Sequence, residues 1–205
     1  LGISSRLIMC FLRHLDQESA FRTLEESQPW LHRITGVGLD SSELGHPPSK
    51  FQAVFERAAS LGLKCVAHAG EEGPPEYIRE AIDLLKVDRI DHGNRCLEDP
   101  ELVSELANAQ MPLTVCPQSN LRLAVVARME DHPIRRMLEA GLKPCINSDD
   151  PAYFGGYVNE NFLSLHESIG LTSDEVRALV INSFESSFLP AHEIQGHLDQ
   201  VNAAR

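Results

Sequence analysis

The sequence predicts an α/β barrel in which parallel strands alternate with helices. Short apolar runs, each of a length suited to a buried strand, alternate with segments that repeat apolar residues at helical spacing. Four of these runs end in histidine, cysteine or carboxylate residues, as barrel strands do at the face that carries an active site. A closed eight-stranded barrel usually takes about 250 residues. The chain has 205, so we expect a barrel that lacks its first two strands.

Six strands are expected along the chain, and each is a short apolar run. They lie at residues 6–12, 37–39, 66–69, 89–92, 111–115 and 142–146. Six parallel strands are also compatible with an open doubly wound sheet. No glycine-rich phosphate-binding fingerprint follows any of them, which favours the barrel over a nucleotide-binding sheet.

Helical segments with start and stop signals separate the strands. Ser49 and Asp99 are expected as N-caps, and Gly62 and Gly141 are expected to end helices. After the last strand only helices are expected. The predicted helices begin near residues 17, 49, 75, 100, 133, 160, 173 and 191. We expect residues 1–205 to form a single domain that holds the six C-terminal strand-helix units of the barrel.

The charge of the chain excludes several classes of partner. Eighteen basic and 30 acidic residues give a net charge of −12, with no basic cluster. A nucleic acid demands a surface rich in lysine and arginine, so we expect no nucleic-acid partner and favour a small neutral or cationic ligand. No apolar run approaches the roughly 20 residues that span a bilayer, so we expect no membrane partner.

The five cysteines indicate a reducing compartment. Their number is odd, and no two of them form a Cys-x-x-Cys pair. Most lie in or beside strand-like runs, which is typical of buried thiols rather than of a disulfide framework or a cysteine-only zinc site. We therefore expect a cytoplasmic protein.

Three strands deliver side chains that can bind a metal ion. His68, His92 and Asp149 follow three different apolar runs, and imidazole nitrogen and carboxylate oxygen are normal ligands of Zn²⁺. Glu71 comes three residues after His68, at the mouth of the same strand. A single histidine on a strand more often makes an ordinary hydrogen bond than binds a metal ion. That interpretation is weaker here, because three strands end in possible metal ligands.

Two adjacent carboxylates follow the last strand. Asp149 and Asp150 repel each other and need a cation or a donor-rich ligand nearby. A simple turn or helix start is the alternative, because Asp and Pro favour both, and Pro151 comes next.

Four ordered motifs together resemble the adenosine and adenine deaminase family. They are His-Ala-Gly-Glu at 68–71, Asp-His-Gly at 91–93, Cys-Pro-x-Ser-Asn at 116–120 and Ser-Asp-Asp-Pro at 148–151. The resemblance covers essentially the whole chain. It implies a (β/α)₈ barrel of the metal-dependent hydrolase type that holds one zinc ion and acts on a small purine.

The same resemblance implies a role for each site residue. His68 and Asp149 would be zinc ligands, and Glu71 would be the acid that protonates purine N1. His92 would be the base beside the water that zinc activates, and Asp150 would hydrogen-bond purine N7. Glu71 must be protonated in order to donate, so burial should raise its pKa. We interpret residues 116–120 as mainly structural, a strand end that shapes the floor of the pocket.

The sequence departs from the family pattern in its zinc ligands. The family supplies its first two ligands from a His-x-His pair, and this chain has no such pair. The remaining histidines are expected to be mostly solvated, although His14 could approach the pocket. They are His14, His32, His46, His132, His166, His192 and His197.

A second departure concerns the substrate. Adenosine deaminases carry Asp-Leu-Ala-Gly after a strand, and we place Ser41 at the position of that glycine. A side chain there would narrow the space for ribose, and residues 150–161 resemble the adenine branch. We expect deamination of adenine to hypoxanthine in purine salvage. The alternatives are an adenosine deaminase and a non-catalytic fragment without the His-x-His ligands.

Overall fold

The computed structural model describes residues 3–204, which divide into two compact units. The first unit ends at Glu98 and the second begins at Asp99. Each unit contains parallel strands with helices between them. The expectation that residues 1–205 form a single domain stays a prediction.

Four parallel strands form the sheet of the first unit, in the order β1-β2-β3-β4. They are β1 (Leu7–Leu12), β2 (Ile34–Asp40), β3 (Lys64–Ala69) and β4 (Arg89–His92). In the register of the sheet Leu12 lies opposite Asp40, and His68 lies opposite Asp91. The carboxyl ends of all four strands therefore meet at one edge, and the four strands predicted for this part of the chain are confirmed.

Helices in the first unit cover the apolar face of the sheet. They are α1 (Gln17–Glu26), α2 (Gln52–Ser60) and α3 (Pro75–Asp83), with 3₁₀ turns at Gln28–Arg33, Pro48–Phe51 and Asn94–Glu98. The rings of Phe11 and Phe55 meet edge to face with centroids 5.9 Å apart, so β1 and α2 share one core. Ser49 was expected as an N-cap, but this was wrong. It lies inside the 3₁₀ turn, which starts at Pro48 and has no side-chain cap.

Two parallel strands and seven helices form the described part of the second unit. The strands β5 (Pro112–Val115) and β6 (Lys143–Ile146) pair with Thr114 opposite Cys145. The helices are α4 (Pro100–Ala109), α5 (Pro117–Arg122), α6 (Ile134–Glu139), α7 (Pro151–Phe154), α8 (Val158–Ile169), α9 (Ser173–Glu185) and α10 (Ala191–Ala203). The Asp99 side chain accepts the N–H groups of Glu101 and Leu102, so the predicted cap of α4 is confirmed.

Residues 116–120 were expected as a strand end, but this was wrong. Cys116 is the N-cap of α5, and Pro117 occupies the first helical position, where its missing N–H costs nothing. The short helix α7 begins where a helix start was considered as an alternative for Asp149 and Asp150. Among residues 3–204, no helix is both long and apolar enough to cross a bilayer.

Candidate active site

Two neighbouring strands of the first unit bring a histidine and a carboxylate together. His68 lies near the end of β3, and its Nδ1 atom is 3.1 Å from Oδ1 of Asp40, the last residue of β2. Burial disfavours the charged imidazolium, but the paired Asp40 and the negative charges of Asp91 and Glu71 outweigh it. Together they raise the pKa of His68 to about 9. Despite burial, His68 also holds the pKa of Asp40 below its usual value.

A second histidine and carboxylate lie beside the first pair. Nδ1 of His92, the last residue of β4, is 3.1 Å from Oε1 of Glu71, and both side chains are nearly fully buried. The rings of His68 and His92 are 4.8 Å apart. Burial and the adjacent His68 lower the pKa of His92 well below its usual value, so His92 is neutral at physiological pH. The structure thus joins His68, Glu71 and His92 in one cluster.

Left-handed backbone conformations shape the turns after β3 and β4. His92 has a φ of +67°. Positive φ angles are rare for residues other than glycine, and those that occur cluster at functional sites. Gly70 has a φ of +72°, and a Cβ atom there would lie 2.4 Å from Cδ1 of Ile78. The chain therefore turns between His68 and Glu71 only because residue 70 is glycine.

Two buried charged residues hold the same turn. The carboxylate of Glu43 accepts the N–H groups of Gly70, Glu71 and Glu72 at 2.6, 3.1 and 2.8 Å. Arg13 is 0% exposed, and its Nη1 atom donates to the carbonyl of His68 at 2.7 Å. Burial lowers the pKa of Arg13, and the nearby Glu43 opposes this shift.

Ser41 follows Asp40 and also has a left-handed backbone, with a φ of +81°. This conformation favours glycine, and a side chain is placed there at a cost of roughly 1–2 kcal/mol. The Ser41 Oγ atom lies 2.7 Å from Nδ1 of His14. His14 is exposed, as expected for most of the remaining histidines, and Ser41 is its hydrogen-bond partner.

The two predicted carboxylates of the second unit follow β6. Asp149 and Asp150 are exposed, and Asp149 has a φ of +53°. Asp150 is the N-cap residue of α7, and its carbonyl accepts the N–H groups of Tyr153 and Phe154. The helix start considered as an alternative for this pair is therefore present.

The segment after β5 is fixed by α8 within the second unit. Asn161 is buried, and its Oδ1 atom accepts the N–H of Gln118 at 2.9 Å, while its Nδ2 atom donates to the carbonyl of Tyr157. The Gln118 side chain also donates to Ser164. Residues 116–120 thus have a structural role at the start of a helix.

His132 was expected to be solvated, but this was wrong. Its side chain is buried, with Nε2 at 3.4 Å from Oδ1 of Asn120 and Nδ1 accepting the N–H of Ile134. Burial lowers its pKa to about 4.

Sequence reasoning assigned no role to Asp40, Glu43 or Arg13. A signal existed for Asp40, which ends a buried strand just as His68 and His92 do. Glu43 and Arg13 gave no signal, because charged residues beside turns are usually solvated.

The whole described chain matches a known family. The family model described as adenosine deaminase matches residues 1–204. A curated adenine deaminase from Sphingopyxis alaskensis is 61% identical over 202 residues, which are 98% of this chain and 59% of the relative. The chain thus spans about 59% of the length of that relative.

Solved structures match the fold over almost the whole chain. The crystal structure of an adenine deaminase from Arthrobacter aurescens has a TM-score of 0.97 and 49% identity, over 98% of this chain and 62% of that one. An amidohydrolase from Burkholderia ambifaria, crystallised with bound Zn, has a TM-score of 0.88 and 28% identity, over 98% of this chain and 59% of that one. These matches and the parallel strands confirm the predicted fold class, an α/β barrel of the metal-dependent hydrolase type.

Proposed function

Because the chain belongs to the adenosine deaminase family, we propose that it is part of a zinc-dependent adenine deaminase, which converts adenine and water to hypoxanthine and ammonia. The observation that carries this proposal is the cluster at the strand ends of the first unit. There, Asp40 pairs with His68 and Glu71 pairs with His92. The adenine deaminases that resemble the chain support the choice of substrate, and purine salvage is the metabolic setting that we assign.

His68 and Asp149 would hold the zinc ion. His68 fits this role, because Asp40 lies at Nδ1 and leaves Nε2 as the nitrogen that can coordinate. A carboxylate on the second nitrogen of a metal-binding histidine is the usual supporting arrangement. Zinc, when bound, would supply a nucleophile at neutral pH by lowering the pKa of a coordinated water. The relative crystallised with bound Zn supports the choice of ion.

Glu71 and His92 would move protons at the cluster. Glu71 is 8% exposed, and we assign it the donation of a proton to purine N1. His92 is neutral and can therefore accept a proton. Its contact with Glu71 gives the two residues a direct path for proton exchange.

Asp150 would orient the purine through a hydrogen bond at N7. As the exposed N-cap of α7, it has a side chain that makes no hydrogen bond to that helix, so its carboxylate is available for a ligand. In this assignment Asp149 binds the metal and the adjacent Asp150 binds the substrate.

We assign the free base as the substrate on the evidence of Ser41. Its left-handed backbone shows that a glycine would fit this position with less strain, yet a serine is present and contacts His14. A side chain there removes space that a ribose would need. A cytoplasmic setting agrees with the five cysteines, all of which are free thiols.

Turnover on a substrate panel tests the function. The panel contains adenine, adenosine and AMP, and ammonia release is measured together with zinc content. Two proteins are compared: the 205-residue chain, and a chimera in which it replaces the matching 59% of the Sphingopyxis alaskensis relative. Turnover of adenine with little turnover of adenosine supports the proposal. Preference for adenosine identifies the alternative enzyme, and a chimera that binds zinc but turns over no purine refutes catalysis by these residues.

A further inference from the structure

The turn from His68 to Glu72 is held by charged groups rather than by ordinary strand pairing. After Ala69 the chain leaves β3, and the next three N–H groups all point at the carboxylate of Glu43. Three donors on one buried carboxylate form a strong anchor, because charge-assisted hydrogen bonds are roughly twice as strong as neutral ones.

Further contacts hold Glu43 in the position from which it accepts these hydrogen bonds. The N–H of Glu43 in turn donates to Oε2 of Glu72 at 3.3 Å, so the two segments hold each other reciprocally. A Cβ atom at Gly73 would lie 2.6 Å from Oε1 of Glu43, so glycine at residue 73 leaves the space that the carboxylate occupies. Glu43 itself is only 2% exposed.

Arg13 holds the other side of the turn. Its guanidinium donates to the carbonyl of His68 and, through Nε, to the carbonyl of His46 at 2.8 Å. Within residues 3–204, its Nη2 atom is buried and has no hydrogen-bond partner. A buried cation on the His68 carbonyl and a buried anion on the following N–H groups together fix the backbone between His68 and Glu71.

We propose that Glu43 is a positioning residue that sets the place of Glu71 relative to His68 and His92. This inference rests on the proposed function, in which Glu71 is the proton donor. Glu43 touches no reacting atom in this scheme. It acts through the N–H of Glu71, and the contact between Glu71 and His92 depends on the backbone that Glu43 holds.

The test compares Glu43→Gln with Asp88→Asn. Gln presents an NH₂ group to N–H donors and so breaks part of the anchor. Asp88 is the matched control, because its carboxylate accepts the N–H of Cys65 at 2.9 Å, near the opposite end of the same strand. Glu43→Asp keeps the charge and provides a variant that folds if Gln does not.

We expect Glu43→Gln to lower kcat by about 100-fold, the loss that a displacement of about 1 Å can produce. KM and zinc content should change little, and Glu43→Asp should recover part of kcat. Asp88→Asn should leave kcat unchanged even if it lowers the melting temperature by as much as Glu43→Gln does. Equal losses of kcat in Glu43→Gln and Asp88→Asn would show that Glu43 contributes only stability.

Hydrogen exchange gives a readout that does not depend on activity. In the 205-residue chain, Glu43→Gln should speed amide exchange at residues 70–72, whereas Asp88→Asn should not. Unchanged protection of these amides in Glu43→Gln overturns the inference whatever the reaction. Faster exchange in a protein that turns over no purine would refute the proposed function while leaving the anchor intact.

Discussion

Nδ1 of His68 lies 3.1 Å from Oδ1 of Asp40, and this pairing sets both the charge and the orientation of the imidazole. Asp91 is the other carboxylate near this nitrogen, at 4.0 Å, and it is also 3.3 Å from Nε of Arg89. Asp40 is therefore the dominant partner of His68.

Replacing Asp40 should weaken zinc binding. Asp40→Asn removes the charge that supports His68, and loss of such a partner typically lowers metal affinity by about 10- to 100-fold. Asp91→Asn is the control, because the longer distance predicts a smaller loss. Competition with a chelator measures both affinities. Equal affinities for the Asp40 variant and the unaltered protein would contradict the assigned role of the pair.

Replacing Glu71 should remove turnover without removing zinc. Glu71→Gln cannot donate the proton, and loss of a general acid typically costs about 10²- to 10⁴-fold in rate. Glu76→Gln, in the first turn of α3, is the matched control and should keep full activity. The measurements are adenine turnover and bound zinc. Full turnover in Glu71→Gln would rule out its role as the acid.

Substitutions of the two adjacent carboxylates after β6 should impair different functions. Asp149→Asn tolerates the left-handed backbone of this residue and should lose most of the bound zinc. Asp150→Asn should keep zinc and raise KM for adenine. Metal analysis and steady-state kinetics on the two variants separate these outcomes, and identical losses in both would argue against a division of labour.

Gly70 should tolerate no side chain. Gly70→Ala combines a φ of +72° with a contact of 2.4 Å to Ile78, and we expect a loss of about 3 kcal/mol in unfolding free energy. Gly62→Ala is the control, since Gly62 has a φ of +80° but no atom within 4 Å of the added Cβ. It should lose only about 1 kcal/mol. Urea unfolding measures both, and equal losses would exclude the clash with Ile78.

His132 should make stability depend on pH. Its pKa is about 4 in the folded chain against 6.5 in the unfolded chain. Above pH 6.5 neither state binds the proton, and between pH 6.5 and 4 only the unfolded state does, so stability falls as the pH falls through this range. The loss is on the order of 3 kcal/mol. His132→Asn, which keeps an acceptor for the N–H of Ile134, should flatten this part of the profile in urea unfolding.

The strands and their polar ends could be predicted from the sequence, because a buried strand leaves an apolar run and its last residue faces the site. That reasoning placed His68, Glu71 and His92 together. The pairing of Asp40 with His68 could not be predicted, since it depends on the register between β2 and β3. The burial of Glu43 could not be predicted either, because charged side chains generally remain in contact with water. The strand-end assignment of residues 116–120 was wrong because Pro117 begins a helix there.

Each strand of the first unit pairs with the next strand along the chain. The residues described above that form or hold the His68–His92 cluster lie between Arg13 and His92, and Arg95, which donates to the carbonyls of Gly70 and Glu72, also belongs to the first unit. During synthesis, all of these residues are joined to the chain before Asp99 is added. The order of strands in the sheet is thus also the order in which they are synthesised, and Glu43 and residues 70–72 are all present in the chain before the second unit begins.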